Sequence, residues 1–254
     1  MINIDLSGKK AIVTGGSGGL GRTMVRTLAE CGADVAVHYN SDRKSAELLA
    51  DELHSMGRKS IAVQADITDE KSVYAMRDRV ADEFGMPDII LVNAVIQYDR
   101  KPLLEQDIKA YYSQFESCVM QMVYMSKAFV PHLIRQNYGR IVVTNTECAV
   151  ACEPTFSAYS SAKRGLDGIV RVLAKEVGGH NITVNQIAPG WTITDKEREW
   201  GVNPAPEYCE TVPLRHRGTD VDIANMAAFL SSDLAGFTTG AFIPVAGGRV
   251  MPAI

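Results

Sequence analysis

Several features that would define other protein classes are missing from the 254-residue sequence. No apolar run approaches the roughly 20 residues that a membrane-spanning helix needs, and the start of the chain has neither a basic segment nor an apolar leader. No run of like charges stands out, and the net charge of -4 does not favour nucleic acid or an anionic membrane as partner. We therefore expect a cytoplasmic protein that acts on a small molecule.

The cysteines are also few and scattered. An odd number of them does not favour a disulfide framework. Two have the spacing of a metal-binding pair, but no second Cys or His pair accompanies them, so ordinary thiols are favoured over a zinc site and we expect no metal. The five are Cys31, Cys118, Cys148, Cys152 and Cys209.

Short apolar runs alternate with longer amphipathic ones along the whole chain. This pattern predicts an α/β fold, a single doubly wound Rossmann-type parallel sheet with helices on both faces, in one domain over 1–254. The stretch from Pro189 to Thr219 is rich in Pro, Gly and Thr and is predicted to be irregular: a substrate lid over about 190–219, or a plain surface connection. The predicted strands are 10–14, 34–39, 60–64, 89–92, 140–145, 183–188 and 241–245, and the predicted helices 19–31, 43–56, 69–84, 107–136, 156–177 and 221–231.

A glycine-rich turn joins the first predicted strand to the first helix. It runs Thr14-Gly15-Gly16-Ser17-Gly18-Gly19-Leu20-Gly21. Backbone N–H groups and the helix dipole at such a turn favour a pyrophosphate, although a bare surface turn has the same composition. Polar residues at other strand ends favour the dinucleotide interpretation, because parallel strands end at one edge. They are Asn40, Ser41, Asp66, Asn93, Thr146 and Thr194.

The helix predicted over 156–177 carries a possible catalytic pair. Tyr159 and Lys163 are four residues apart, so they share one helix face. An ammonium near a phenol favours the phenolate, and we expect Lys163 to lower the pKa of Tyr159 toward working pH. Leu166, Ile169, Val170, Leu173 and Val177 are predicted to face the core.

Taken together, these motifs resemble the classical short-chain dehydrogenase/reductase family, and the resemblance covers nearly the whole chain. It rests on Thr14-Gly15-x-x-x-Gly19-x-Gly21, Tyr159-x-x-x-Lys163, Asn185, Pro189-Gly190, Asp66 after the third strand and Gly139-Arg140-Ile141-Val142. The sequence Val37-His38-Tyr39-Asn40-Ser41 is most similar to the 3-oxoacyl-carrier-protein reductase and sugar-dehydrogenase branches.

The resemblance implies a role for each matching residue. Tyr159 would be the acid/base, Lys163 its electrostatic partner that also holds the nicotinamide ribose, and Thr146 the hydroxyl that orients a carbonyl. The residues implied in cofactor binding are Gly15, Ser17, Gly19, Leu20, Gly21, Asn40, Ser41, Asp66, Ile67, Asn93, Ala94, Tyr159, Lys163, Pro189, Gly190, Thr192 and Thr194.

Three positions depart from the family pattern. The Asn-Asn-Ala-Gly stretch after the fourth strand reads Asn93-Ala94-Val95-Ile96. The asparagine of the catalytic tetrad aligns with Cys118, whose thiol is a poor substitute for an amide in a proton relay. The Asp before the terminal Gly-Gly is Ala246.

The end of the second strand indicates which nicotinamide is used. NAD enzymes usually place a carboxylate there, whereas this chain has Tyr39 followed by Asn40 and Ser41, with Arg43 and Lys44 nearby. NADP is therefore predicted. NAD remains possible, since Gly18 occupies the place of the usual basic residue in the glycine turn.

The substrate is the least determined part of the prediction. Glu147 is either an extra acid/base group or a solvated strand-end carboxylate. The leading hypothesis is interconversion of a ketone and a secondary alcohol; the alternatives are a cofactor-binding sensor or non-catalytic subunit and a C=C reductase. We expect a homotetramer or dimer. The predicted pocket neighbours are Val95, Ile96, Tyr98, Glu147, Cys148, Cys152, Trp191 and Trp200.

Overall fold

A single seven-stranded sheet organises the computed structural model, which describes residues 3–252. The strand order is β3-β2-β1-β4-β5-β6-β7, and every neighbouring pair is parallel. The doubly wound fold is confirmed. The strands are β1 (Lys10–Val13), β2 (Asp34–Tyr39), β3 (Ser60–Gln64), β4 (Ile89–Val92), β5 (Gly139–Thr144), β6 (Ile182–Pro189) and β7 (Phe242–Val245).

Several helices begin where an acidic or hydroxyl side chain caps free N–H groups. Asp42, Asp69 and Asp107 each accept a bond from the first turn of the following helix, and Thr219 forms a capping box with Asp222. The helices are α1 (Gly19–Glu30), α2 (Arg43–Ser55), α3 (Glu70–Glu83), α4 (Ile108–Phe115), α5 (Gln121–Gln136), α6 (Cys148–Ala151), α7 (Ser157–Val177), α8 (Asp195–Trp200), α9 (Pro206–Thr211) and α10 (Asp220–Ser231).

The structure differs from the sequence-based prediction in three regions, the first being the short helix α6, which was not predicted. The helix predicted over 107–136 is divided into α4 and α5 by a π-helical turn at Glu116–Met120. The stretch from Pro189 to Thr219 is not wholly irregular, since it contains α8 and α9. Both are six residues long, too short to show a clear hydrophobic period.

Each face of the sheet packs against its own set of helices. Because successive strand residues point to opposite faces, Ile12 packs with α3, α5 and α7, whereas Ala11 and Val13 pack with α1, α2 and α10. Leu166, Val170 and Val177 of α7 are buried in the first cluster, with Ile169 and Leu173 packed against it. No helix in the described range is long and apolar enough to cross a membrane.

Candidate active site

The glycine turn from Gly15 to Gly21, called the cradle below, is an open concave turn at the start of α1. Backbone packing requires glycine at position 21, because a Cβ there would lie 2.1 Å from the Gly15 carbonyl oxygen. Gly19 has a φ of +49° and open space beyond it, and no side chain caps the first turn of α1. Space and free N–H groups at a helix N-terminus fit the pyrophosphate of a dinucleotide.

Buried polar side chains hold the cradle from beneath. The Gly15 N–H donates to His38 Nδ1 at 2.9 Å, while His38 Nε2 donates to the Ala65 carbonyl at 3.0 Å. Burial lowers the pKa of His38 from 6.5 to about 4, so the imidazole is neutral and accepts the glycine N–H. His38 therefore fixes the glycine turn to the ends of β2 and β3.

A second network joins the cradle to the segment after β4. The Thr14 hydroxyl donates to Gln121 Oε1 at 2.8 Å and accepts from the backbone N–H of Asn93 and Ala94. Gln121 donates back to the Ala94 carbonyl at 2.8 Å. Asn93 and Ala94 are thus held beside the glycine turn, although Val95 interrupts the family pattern.

Basic residues lie above the cradle. Lys196 of α8 brings its ammonium within 3.9 Å of the position that a Cβ on Gly18 would occupy. Arg22 of α1 pairs with Asp195 at 2.9 Å and also donates to the Ser17 carbonyl. Arg43 pairs with Glu47 on the outer face of α2 instead.

Tyr159 and Lys163 lie on one face of α7, as predicted. The Lys163 ammonium is 5.6 Å from the centre of the Tyr159 ring and donates to the Thr144 carbonyl at 2.6 Å. The expected lowering of the Tyr159 pKa was wrong. Burial raises it, with smaller contributions from the Cys118 and Cys148 thiols that outweigh a hydrogen bond with Thr146. Burial also lowers the pKa of Lys163.

Thr146 and Cys118 both lie near Tyr159. Thr146 follows β5, is buried, and also accepts a hydrogen bond from the Cys148 N–H at 3.2 Å. Cys118 is buried in the π-helical turn and is close enough to shift the pKa of both Tyr159 and Lys163. The structure therefore brings together all four predicted catalytic positions.

The sequence of this chain matches known proteins over almost its whole length. A family model described as Enoyl-(Acyl carrier protein) reductase matches residues 15–249. The 3-oxoacyl-[acyl-carrier-protein] reductase FabG of Staphylococcus epidermidis is 32% identical over 243 residues, which is 96% of this chain and 99% of that protein. The chain belongs to the short-chain dehydrogenase/reductase family. It is thus an NAD(P)-dependent oxidoreductase.

Solved structures of family members have the same fold. A 7α-hydroxysteroid dehydrogenase complexed with NADH and 7-oxo glycochenodeoxycholic acid is 30% identical, with a TM-score of 0.90 over 98% of this chain and 97% of that one. A blue fluorescent protein from a metagenomic library in complex with NADPH is 32% identical, with a TM-score of 0.88 over 97% of this chain and 100% of that one.

In this dehydrogenase/reductase the remaining predicted cofactor residues lie at the carboxyl edge of the sheet. Asn40 and Ser41 are exposed after β2, and Ile67 is buried after β3. Asp66 is engaged locally, accepting from the Thr68 N–H and hydroxyl. Pro189 ends β6; Gly190 follows it, accepting from Thr192, and Thr194 caps α8. The predicted residues of the glycine turn, which lie in the cradle, are Gly15, Ser17, Gly19, Leu20 and Gly21.

A cavity of about 390 Å³ opens beside Tyr159. Three predicted pocket neighbours line it, namely Glu147, Cys148 and Trp191. The prediction that Trp200 lines the pocket was wrong, since this side chain is 81% exposed. Cys152 lines a neighbouring cleft instead. Tyr98 accepts the Tyr159 N–H at 3.4 Å. The other lining residues are Arg100, Thr146, Glu153, Phe156, Tyr159, Gly190, Tyr208 and Arg249.

Glu147 differs most from its prediction. It is not a solvated strand-end carboxylate, because only 4% of its surface is exposed. Tyr208 donates to it at 2.9 Å and Arg249 pairs with it at 3.1 Å. These two partners come from α9 and the C-terminal segment, more than 60 residues along the chain, so no local sequence pattern identifies them.

Proposed function

We propose that this protein is an NADP(H)-dependent oxidoreductase that interconverts a ketone and a secondary alcohol. The observation that carries the proposal is the shared cavity wall of Tyr159 and Thr146, with Lys163 one turn along α7. This wall lies at the sheet edge that also holds the glycine cradle. A carbonyl seated there meets two hydroxyl groups.

When bound, the dinucleotide supplies or accepts the hydride. Thr146 orients the substrate by donating its hydroxyl to the carbonyl oxygen, and Tyr159 passes a proton to that oxygen as the alcohol forms. Lys163 holds the ribose hydroxyls near the phenol. Because burial raises the pKa of Tyr159, its hydroxyl is protonated at neutral pH, which is the form that donates a proton to the carbonyl oxygen.

The preference for NADP(H) rests on charge around the adenosine end of the cradle. No carboxylate ends β2, and Asp42 beyond it caps α2 by accepting from Ser45. The Lys196 ammonium fills the place where a basic residue of the glycine turn would otherwise lie. A 2′-phosphate there would form a charge-assisted contact with it.

We further propose a homo-oligomer that associates through α4. Large apolar side chains are exposed along this helix and the loop before it: Leu103, Leu104, Ile108, Tyr112 and Phe115. Such a patch marks an interface, and two-fold assembly is the commonest arrangement. Light scattering on the purified protein should give the mass of a dimer or tetramer, and Tyr112→Asp should shift it toward the monomer.

The decisive assay for the enzymatic proposal compares the wild-type protein with Tyr159→Phe. NADPH and a panel of ketones, β-ketoacyl thioesters and keto sugars are mixed with each, and loss of NADPH absorbance is followed. We expect Tyr159→Phe to lower turnover by about 10²- to 10⁴-fold, because it removes the proton donor, and to change NADPH affinity far less, because the glycine turn and Lys163 are retained. Tight NADPH binding with no turnover across the panel would instead support a sensor or a non-catalytic subunit.

A further inference from the structure

One carboxylate oxygen in the substrate cavity has no partner. Among the described buried side-chain atoms without a hydrogen bond, Glu147 Oε2 is the only one on an ionisable group. Glu147 and Gly190 both line the cavity, and this buried oxygen lies beside Gly190, since a Cβ on that glycine would lie 3.2 Å from it. Buried carboxylate oxygens are normally hydrogen-bonded, so an unpaired one beside a catalytic wall indicates a ligand position.

The rest of the carboxylate is held firmly. Its Oε1 receives the Tyr208 hydroxyl at 2.9 Å and the Arg249 guanidinium at 3.1 Å. Tyr208 is itself fixed, because its hydroxyl accepts the Trp191 N–H at 2.8 Å. Arg249 is fixed in turn by a second ion pair, to Glu153. Glu147 is therefore oriented by the protein, with one oxygen left without a partner in the cavity wall.

The charges of the cavity wall limit what that oxygen binds. Two guanidinium groups, Arg100 and Arg249, line it together with two carboxylates, Glu147 and Glu153. The wall is thus balanced in charge. An ammonium group would lie close to Arg249, whereas a neutral hydroxyl satisfies the free oxygen without repulsion.

We propose that Glu147 selects a substrate with a hydroxyl group near the reacting carbonyl, a hydroxyketone or the corresponding polyol. Thr146 and Tyr159 hold the oxygen that reacts, and the neighbouring residue Glu147 accepts a hydrogen bond from the second hydroxyl. This inference rests on the proposed function. A substrate without that hydroxyl leaves the carboxylate oxygen desolvated and unpaired, which sites built for a hydroxyl reject strongly.

The experiment compares matched ligands that differ only by the hydroxyl. The vicinal diol of cyclohexane is compared with cyclohexanol, and the α-hydroxy ketone of cyclohexane is compared with cyclohexanone. Binding to the protein saturated with NADP⁺ is measured by Trp191 fluorescence in a Trp200→Phe background, because Trp191 lines the cavity and Trp200 does not. Turnover is measured separately from the change in NADPH absorbance. We expect the hydroxylated ligand to bind about 10- to 100-fold more tightly.

Two variants test whether Glu147 causes the preference for hydroxylated ligands. Glu147→Ala should reduce the affinity ratio of each ligand pair to about one, whereas Glu176→Ala, at an exposed glutamate of α7, should leave that ratio unchanged. The NADPH affinity and thermal unfolding of each variant show whether it is folded. The wild-type ratio tests the inference even if Glu147→Ala does not fold.

The outcomes separate the two proposals. Equal affinity for the hydroxylated and plain ligands of the wild-type protein, or a preference that survives Glu147→Ala, overturns the inference about Glu147. If ketones are turned over but the hydroxylated and plain ligands bind equally well, only the inference about Glu147 is overturned. A hydroxyl preference without any turnover refutes the oxidoreductase proposal and leaves a hydroxyl-binding site.

Discussion

The two ends of the cleft differ in how their buried polar groups are satisfied. Under the glycine cradle, His38, Thr14 and Gln121 each make hydrogen bonds on both sides, to backbone groups or to one another. At the substrate end, Glu147, which lines the cavity, keeps one oxygen without a hydrogen-bond partner. A complete network builds a fixed support, whereas an unpaired oxygen on a cavity-lining residue is a position that a ligand can complete.

The two ends also differ in the departures from the family that they carry. At the cradle, close backbone packing leaves room only for glycine at position 21 and the glycines are kept, although the neighbouring stretch Asn93-Ala94-Val95-Ile96 departs from the pattern. At the catalytic end, Cys118 stands in place of the asparagine of the tetrad.

The strongest test of the cradle is Gly21→Ala. The new methyl group would lie 2.1 Å from the Gly15 carbonyl oxygen, so the turn must move. We expect NADPH affinity, measured by fluorescence titration, to fall by at least about 100-fold, because the phosphate-binding N–H groups lose their alignment. Gly168→Ala is the matched control, since no atom lies within 4 Å of its Cβ position. Unchanged affinity in Gly21→Ala would contradict the cradle geometry.

Acid should lower the stability of the folded protein because of His38, which lies beneath the cradle. Its pKa falls from 6.5 in the unfolded chain to about 4 in the native protein, so the native state binds fewer protons between these values. Stability is full above about pH 6.5 and is lost as the pH falls toward 4, by about 3 kcal/mol in total.

His38→Gln separates this contribution from that of the carboxylates. Glutamine both accepts and donates but does not titrate, so urea unfolding of the variant should depend less on pH over this range. Identical pH dependence in the two proteins would show that His38 does not contribute.

A smaller effect is expected at the rim of the cradle. Lys196→Ala should weaken NADPH binding by about tenfold and NADH binding hardly at all, because NADH has the pyrophosphate but lacks the 2′-phosphate that Lys196 is proposed to contact. Lys175→Ala, an exposed lysine of α7, is the control. Equal losses for both dinucleotides would place Lys196 elsewhere in the site.

Local pattern was sufficient to predict the sheet and the main helices. Continuous apolar strands, Asp and Thr caps and the helical period of Leu166 and Val170 are all encoded within a few residues. The glycine turn and the Tyr159–Lys163 pair were found for the same reason.

The features of the site that could not be predicted from the sequence depend on contacts between residues that are distant along the chain. Lys196 reaches Gly18 from α8, and Arg249 reaches Glu147 from the C-terminal segment. The raised pKa of Tyr159 depends on burial in the folded chain and, to a smaller extent, on Cys118 and Cys148, which lie outside α7. The π-helical turn around Cys118 has no sequence period of its own.

The most direct test of the enzymatic account follows a labelled hydride. NADPH carrying deuterium at the transferring position is incubated with the protein and an α,β-unsaturated ketone, and the product is analysed by mass spectrometry and NMR. We predict deuterium on the carbinol carbon of an allylic alcohol, and no such product with Tyr159→Phe. Deuterium on the carbon β to an intact carbonyl would contradict carbonyl reduction and identify a C=C reductase.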